Sequence, residues 1–335
     1  MPVHPAAALP EPSPHLQQRY RLLGELGRGA MGIVYRALDL ASGEEVALKF
    51  PTIDRPEVAA RCLEAARGLA DLSHPNVVGV LDSGIDAGRP YVVMELVQGT
   101  SLLSVLEKSG RLEVGHAVAL TCQVLEGLAA AHVCGVTHRD VKPENVLVVD
   151  GTQARLVDFG LAFMVRGNRI SGSGRLVGTP AYMAPEYVQG SAPDARADVY
   201  SVGVMLFELL TGRVPFLSEN PMEVLTLHVV QPAPRVSAVR PDVPRLVDDV
   251  VARTLSKNPA ERPGSATQLA ELLRHAIASP RAISARTLLE LEDDAPAPVA
   301  QGPGWVMGAL LVGAFSAAFS VALVMTLVWV TGAAR

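Results

Sequence analysis

The sequence has 335 residues, of which 49% are hydrophobic, and it carries a formal net charge of −5 at pH 7. A chain of this length can bury a large core, either in one domain with two lobes or in two ordinary domains. The acidic balance argues against a nucleic-acid partner, which normally requires a basic face. Cys62, Cys122 and Cys134 are odd in number and lack the spacing of a zinc site, so neither a disulfide framework nor structural zinc is expected.

The first part of the chain predicts a small sheet with one helix. Residues 1–18 are rich in Pro and Ala, which indicates a disordered lead-in. Short strand-like runs follow, separated by glycines or turn residues, and a helical pattern covers about 56–70. The strand-like runs are 20–27, 32–40, 44–50, 77–84 and 89–97.

After Gly99 the chain becomes mainly helical. The sequence VLVVDGTQARLVD interrupts the helices and predicts a hairpin with its turn at Asp150 and Gly151. Residues 279–304 are again loose, with Pro, Ala, Ser and the acidic run ELEDD, and predict an extended linker. Apolar periodicity predicts helices over 113–134, 198–211, 221–230, 244–256 and 266–277.

Residues 305–330 are predicted to form a single transmembrane helix. The segment has no charged residue, and Trp305 and Trp329 lie at its ends, where interfacial aromatics belong. As a helix it would be about 39 Å long, enough to cross a hydrocarbon core of about 30 Å with some tilt. A buried core helix is the alternative, but one of this length without a charge is rare. The last residues, 331–335, would form a short external tail.

A glycine-rich stretch, GRGAMGIV, begins at Gly27. Alone, this pattern is weak, since the chain has 29 glycines. A dinucleotide-binding fold would require a helix after the loop, whereas here a strand follows. Between two strands, such a loop can bring backbone N–H groups close to phosphates because glycine has no Cβ. Lys49, which closes the run VALK on the next strand, predicts a nearby anion because a buried lysine needs one.

The most specific motif is HRDVKPEN at residues 138–145. It is followed at suitable distances by Asp158-Phe159-Gly160 and by the run GTPAYMAPE, which ends at Glu186. With these motifs in this order, the chain resembles the eukaryotic-type (Hanks-type) serine/threonine protein kinases, in particular the bacterial membrane-bound kind, over residues 20–278. The resemblance implies an α+β, bilobal kinase fold over 19–278, with an antiparallel N-lobe sheet plus one helix (19–97) and a mainly helical C-lobe (98–278).

The resemblance also implies the chemistry. Asp140 would accept or orient the proton of the substrate hydroxyl, and Lys142 would neutralise charge on the moving phosphoryl group. Lys49 would pair with the α and β phosphates of ATP. Asn145 and Asp158 would hold Mg²⁺ through oxygen ligands, with Mn²⁺ as an alternative.

The same resemblance assigns the nucleotide contacts. Adenine would lie between apolar side chains and would bond to backbone groups of Glu95 and Val97. Met94 would be the gatekeeper. The side chains expected around adenine are Val34, Ala47, Met94 and Leu147, and the phosphate loop would comprise Leu26, Gly27, Gly29 and Gly32.

Several further residues are assigned through the family. The form Lys142-Pro143-Glu144 and Thr179 before Pro180 favour serine and threonine hydroxyls of proteins as acceptors. Arg139 could bind a phosphate on the activation segment, in which Ser171, Ser173 and Thr179 are candidate autophosphorylation sites. Two structural roles are expected: Glu186 would form a buried ion pair with Arg262, and Asp198 would brace the catalytic loop.

One position departs from the family pattern. The glutamate that pairs with the strand lysine usually lies about ten residues before the proline of HPN, and counting back from Pro75 gives Ala65, not Glu64. Either a one-residue insertion restores Glu64 to Lys49, or the pair is weak. We expect the insertion. The second possibility leaves open a pseudokinase that binds ATP as a signalling scaffold. A small-molecule phosphotransferase is a third possibility, disfavoured by the APE segment.

A kinase needs ATP, so residues 1–304 are expected in the cytoplasm and the chain in the cell membrane. A homodimer is possible through the kinase domain or through the transmembrane segment, where Ala309, Gly313 and Ala317 recur every four residues. Scattered small residues in an alanine-rich span would give the same pattern.

Overall fold

The computed structural model describes residues 13–278 except 30–31, 52–55, 160–179 and 192–193. All of these residues belong to the first of two compact units, 1–290 and 291–335. The predicted linker 279–304, transmembrane helix 305–330 and tail 331–335 lie outside the described residues.

The N-terminal half forms an antiparallel sheet of five strands in the order β1-β2-β3-β5-β4, with one long helix, α2. This confirms the predicted small sheet with one helix. Strand β4 begins three residues later than predicted, because Val77 and Val78 pair instead with the C-terminal half. The elements are β1 (Tyr20–Gly29), β2 (Gly32–Asp39), β3 (Glu45–Pro51), α2 (Pro56–Ala70), β4 (Val80–Asp86) and β5 (Arg89–Glu95).

A short helix, α1 (Pro14–Gln17), precedes the sheet and corrects the predicted disorder for residues 13–18, while residues 1–12 lie outside the described part of the chain. The side chain of Ser13 caps this helix by accepting a hydrogen bond from the N–H of Leu16, and the Ser13 N–H donates to Asp86 at 2.9 Å. Leu16 is buried in the same apolar cluster as Tyr20. The cap and this one buried side chain hold the segment against the sheet.

The C-terminal half is mainly helical, as predicted. Helix α6 begins at Ala195, three residues before the predicted start at Asp198, because Asp194 accepts a hydrogen bond from the Arg196 N–H and caps the helix there. Helices α3 and α5 were not expected. The helices are α3 (Leu102–Ser109), α4 (Val114–Val133), α5 (Pro185–Gln189), α6 (Ala195–Thr211), α7 (Pro221–Val230), α8 (Arg245–Thr254) and α9 (Ala266–Ala278).

A second, three-stranded sheet lies in the C-terminal half, at its contact with the segment before β4. Its strands are β6 (Thr100–Ser101), β7 (Val146–Val149) and β8 (Gln153–Leu156). Strands β7 and β8 form the predicted hairpin, with positive φ angles at Asp150 and Gly151 in its turn. The Val78 N–H donates to the Leu156 carbonyl at 2.9 Å, which ties the segment before β4 to the C-terminal half.

Helix α4 is the one helix in the described part of the chain that is long and apolar enough to cross a membrane. It packs against α9, α6 and β8, and more than half of its most apolar stretch is buried inside the protein. This apolar character therefore fits a core helix of the C-lobe.

Candidate active site

The loop 138–145 lies between α4 and β7, and its polar side chains contact one another. The Asn145 side-chain amide donates to the backbone carbonyl of Asp140 at 2.8 Å and to Asp140 Oδ2 at 2.9 Å. Lys142 Nζ lies 3.1 Å from the same Oδ2. All three residues are buried. The order of the motif therefore has a structural meaning, since an amide and a cation together orient one carboxylate.

A buried carboxylate of α6 holds this loop from behind. Asp198 Oδ2 accepts hydrogen bonds from the His138 backbone N–H and from His132 Nε2, both at 2.8 Å. Its Oδ1 accepts the Arg139 backbone N–H at 2.7 Å. Burial would raise the pKa of Asp198, but the hydrogen bond and charge of His132, the charge of His138 and the bond from Arg139 outweigh burial and hold that pKa below its usual value.

Asp158 enters the same site from the end of the β7–β8 hairpin. Its carboxylate Oδ1 lies 2.6 Å from Lys49 Nζ. The preceding residue, Val157, donates its N–H to the Asn145 carbonyl at 3.0 Å, which places Asp158 next to the loop 138–145. Asp158 has a φ of 65°, which is rare outside glycine and is typical of functional sites.

A divalent cation fits this arrangement. The amide nitrogen of Asn145 is used on Asp140, so its carbonyl oxygen is the atom that can face a cation. Together with the Asp158 carboxylate it supplies the oxygen ligands that a hard cation prefers. The described residues contain no cluster of three or more His, Cys, Asp or Glu side chains that could hold a metal by itself. A cation here would therefore need further oxygen ligands from water or phosphate.

The structure does not bring Glu64 to Lys49, which corrects the expected pair. Glu64 is exposed, and Lys49 pairs with Asp158. Helix α2 runs without interruption from Pro56 to Ala70, so no irregularity within the helix turns Glu64 toward Lys49. Because Cys62 and Ala66 face the sheet, Glu64 lies on the opposite side of the helix.

Apolar side chains line the predicted adenine slot from the N-lobe. Val34, Ala47, Met94 and Val97 belong to one cluster, and Ala47 is the direct cross-strand partner of Met94. Leu147 lies on β7 and is not part of this cluster. Its Cβ lies near Gly99, just after the connection between the lobes. Leu26 is half exposed on β1.

The glycine-rich loop joins β1 to β2, and Ala30 and Met31 within it lie outside the described residues. Gly27 pairs with Val34, and Gly29 pairs with Gly32. Gly32 has a φ of 137°, and a Cβ there would lie 2.2 Å from the Phe50 carbonyl oxygen. Glycine at this position is therefore required by the backbone itself.

The connection between the lobes contains an ion pair that sequence reasoning missed. The Glu95 carboxylate accepts the Gly79 N–H at 2.6 Å and also pairs with Arg155 of β8. The Glu95 N–H donates to the Gly79 carbonyl at 3.0 Å. Any contribution of Glu95 to an adenine edge is therefore limited to its carbonyl oxygen. No sequence motif marks Arg155, because the pair depends on how the two lobes meet.

The remaining assigned residues either have structural partners or lie outside the described residues. Arg262 donates two hydrogen bonds to Glu186, at 2.7 and 2.8 Å, and its side chain is fully buried. Arg139 has a φ of 65° and donates to Thr137 Oγ1 at 2.7 Å. The candidate phosphorylation sites Ser171, Ser173 and Thr179 lie outside the described residues.

Known proteins resemble this chain over most of its length. Serine/threonine-protein kinase PknD of Mycobacterium tuberculosis is 40% identical over 280 residues, which are 82% of this chain and 42% of PknD. PknL of the same organism is 39% identical over 250 residues, 74% of this chain and 63% of PknL. The probable serine/threonine-protein kinase pknA2 of Bifidobacterium longum is 35% identical over 272 residues, 78% of this chain and 36% of that protein. The chain thus spans between about a third and two thirds of the length of these curated relatives.

A solved structure gives the same fold. The crystal structure of Rad53 1-466 in complex with AMP-PNP superposes with a TM-score of 0.64 at 24% identity, covering 76% of this chain and 65% of that chain. The family model described as protein kinase domain matches residues 20–276. This match takes in both lobes and every residue of the site described above, and the chain therefore belongs to the protein kinase domain family.

Proposed function

We propose that this protein is a serine/threonine protein kinase that transfers the γ-phosphate of ATP to serine or threonine hydroxyls of proteins. The observation that carries the proposal is the fixed position of Asp140, whose carboxylate is held by Asn145 and Lys142 beside the Lys49–Asp158 pair. A carboxylate held in this way is suited to accept a proton, and the two lysines supply positive charge for phosphate oxygens.

The reaction follows from these groups. The substrate hydroxyl oxygen attacks the γ-phosphorus, its proton passes to Asp140, and the bond between the γ-phosphorus and the β–γ bridging oxygen breaks to release ADP. Lys142 offsets negative charge on the moving phosphoryl group, and Lys49 holds the α and β phosphates. Because this transition state has little covalent help from protein, positioning and charge supply most of the rate.

Two residues would hold the metal. Asn145, through its carbonyl oxygen, and Asp158, through its carboxylate, would bind Mg²⁺, with Mn²⁺ as an alternative. When bound, the cation neutralises charge on the β and γ phosphates. The protein's own part is to hold these two oxygen ligands next to Asp140, which the bond from the Val157 N–H to Asn145 supports.

The nucleotide would lie between the lobes. Val34, Ala47, Met94 and Val97 would contact adenine from the N-lobe and Leu147 from the C-lobe. Leu26, Gly27, Gly29 and Gly32 would cover the phosphates. The shared apolar cluster of the first four residues supports this assignment.

The remaining assignments concern regulation and location. Acceptance of serine or threonine is supported by the form of the loop after Asp140 and by the serine/threonine kinase names of the relatives. Ser171, Ser173 and Thr179 would be autophosphorylation sites, with Arg139 as the partner of an added phosphate. Residues 305–330 would anchor the protein in the cell membrane with the kinase domain in the cytoplasm, and the chain could dimerise through either part.

A weakly active kinase that acts as an ATP-binding scaffold is the second candidate. The observation in its favour is that Glu64 does not reach Lys49. The first candidate remains stronger because the carboxylate, lysines and amide that the reaction needs are all present in one buried site.

Phosphate transfer by the full chain in detergent micelles tests both candidates. The assay contains Mg²⁺, ATP labelled at the γ-phosphate, and a generic protein with accessible serine and threonine residues as the phosphate acceptor. Asp140→Asn removes the proposed proton acceptor, and Asp150→Asn makes the same change in the exposed hairpin turn as a matched control. A kinase transfers phosphate in the wild type and the Asp150 variant and loses transfer in the Asp140 variant. Nucleotide binding without transfer in any of them would identify a scaffold.

A further inference from the structure

Arg155 on β8 binds the Glu95 carboxylate with both of its terminal nitrogens. Nη1 donates to Glu95 Oε2 at 3.2 Å, and Nη2 donates to Glu95 Oε1. Nη2 also donates to the Val77 backbone carbonyl at 2.9 Å. The Arg155 side chain is 19% exposed, so water screens this pair only in part. A two-point contact of this kind restricts the carboxylate in direction as well as in distance.

The backbone on either side of Arg155 is held by hydrogen bonds to the segment before β4. The Leu156 N–H donates to the Asn76 carbonyl at 2.8 Å, and the Val78 N–H donates to the Leu156 carbonyl at 2.9 Å. On the other side, the Asn76 side-chain amide donates to the Ala154 carbonyl at 2.8 Å. The guanidinium therefore projects from a fixed stretch of β8, and that strand sets the position of its partner carboxylate.

Glu95 is the last residue of β5, where the chain leaves the N-lobe sheet. Its N–H and its carboxylate both bind Gly79, and the carboxylate also binds Arg155. A rotation of the Glu95 backbone that carries the side chain along must break contacts with Gly79 and with Arg155. The direction of the Glu95 carbonyl, the group of this residue that could meet an adenine edge, is therefore coupled to the arginine.

We propose that Arg155 is a positioning residue that sets purine selectivity: by holding the Glu95 carboxylate, it keeps the Glu95 carbonyl aimed at the amino group on C6 of adenine. The inference rests on the proposed function, since it assumes that ATP lies between the lobes with adenine beside Glu95. A purine with a carbonyl at C6 would bring two acceptor oxygens together with no proton between them. A fixed acceptor rejects such a ligand more strongly than an acceptor that can turn away.

Binding of ADP and IDP tests the inference, because adenine carries an amino group at C6 and hypoxanthine carries a carbonyl there. Hypoxanthine also has a proton on N1, whose effect cancels when variants are compared. Both dissociation constants are measured by calorimetry with Mg²⁺ on the full chain in detergent micelles. Arg155→Met removes the guanidinium and keeps an unbranched side chain. Arg274→Met is the matched control, since it makes the same change in the pair between Arg274 of α9 and Glu126 of α4.

The wild type should bind ADP more tightly than IDP, and the ratio of the two dissociation constants should fall by about threefold or more in Arg155→Met. The fall should come from weaker ADP binding, while IDP binds within about twofold of wild type or more tightly. Arg274→Met should keep the wild-type ratio. An unchanged ratio in Arg155→Met, or an equal loss of affinity for both nucleotides, would overturn the inference, because the arginine would then not act on the group at C6. A wild type that binds ADP and IDP equally would overturn it too.

A second variant keeps the test decisive if Arg155→Met impairs folding. Glu95→Gln can still accept the Gly79 N–H but no longer forms the ion pair with Arg155, so it should reduce the ratio as Arg155→Met does. The double variant should show no further fall, because the arginine acts through Glu95. Multiplying effects of the two substitutions would contradict this route.

Failure of the inference differs from failure of the proposed function. Phosphate transfer by the wild type together with unchanged selectivity in Arg155→Met overturns the inference alone. Reduced selectivity in Arg155→Met without phosphate transfer by the wild type supports the inference and contradicts the proposed activity. A wild type that binds neither nucleotide contradicts both.

Discussion

Asp198 Oδ1 accepts the backbone N–H of Arg139 at 2.7 Å and holds that residue at a φ of 65°. A positive φ is unfavourable for arginine, and it persists only where the surroundings determine it. The same carboxylate also takes the His138 N–H. The backbone just before Asp140 is therefore shaped by a residue 58 positions further along the chain.

Asp198→Asn should destabilise the fold by about 3 kcal/mol, because an amide can no longer accept all the hydrogen bonds that converge on this buried carboxylate. Chemical unfolding of the full chain followed by circular dichroism measures this change. Asp194→Asn is the matched control, since asparagine caps a helix as well as aspartate does. An equal and small effect of both substitutions would show that Asp198 does not brace the loop.

The sequence predicts the reacting groups because they lie in short local motifs. Contacts between residues that are distant in the sequence depend on packing and could not be predicted in this way. Asp140, Lys142 and Asn145 lie within one loop, so their spacing already fixes which groups can meet. Strands β4 and β5 were predicted to within three residues at each end, because the alternation of apolar residues that marks a strand is also a local pattern.

Glu64 was misplaced because sequence spacing alone does not determine the rotation of α2 about its axis. That rotation is set by Cys62 and Ala66 packing against the sheet. Helix α1 was missed because one cap and one buried leucine stabilise it within a segment of disorder-like composition. The Glu95–Arg155 pair was missed because its members lie 60 residues apart in different lobes.

Removal of Arg262 should cost about 3–5 kcal/mol of folding free energy, because Arg262→Met leaves the buried Glu186 carboxylate without its cation. The double variant Arg262→Met, Glu186→Leu should be more stable than the single arginine variant, since no uncompensated charge remains. Denaturant unfolding of the wild type, both single variants and the double variant measures both effects. If the double variant is as unstable as the sum of the two single ones, the two side chains do not act as a pair.

Gly32→Ala should destabilise the N-lobe by about 2 kcal/mol or more. The added Cβ would lie 2.2 Å from the Phe50 carbonyl oxygen, and alanine is strained at a φ of 137°. Gly27→Ala is the comparison, because a Cβ there meets nothing within 4 Å. Melting temperatures should fall clearly for the first variant and by much less for the second. Similar melting temperatures for the two variants would contradict the requirement for glycine at position 32.

Stability should decrease as the pH falls from about 6.5 to about 4, in part because of His228. Burial, followed by the charge of Lys257, lowers the pKa of His228 from 6.5 to about 4. Inside the protein this ring contacts the Tyr200 hydroxyl at 2.8 Å and the Ala181 carbonyl at 2.9 Å. The unfolded chain binds a proton below pH 6.5 and the folded chain does not, so the stability contribution is complete above that pH and declines by about 3 kcal/mol toward pH 4.

His228→Gln tests this dependence, because the amide can still donate to the Ala181 carbonyl but does not titrate. The free energy of unfolding is measured in steps from pH 8 to pH 4.5. The variant should be less stable than wild type at pH 8. Below pH 6.5 its free energy of unfolding should fall less steeply with pH, and the difference in slope should correspond to about one bound proton. His275→Gln, which makes the same change on the exposed side of α9, is the matched control variant. If His228→Gln keeps the wild-type slope, His228 is not the group whose protonation weakens the fold.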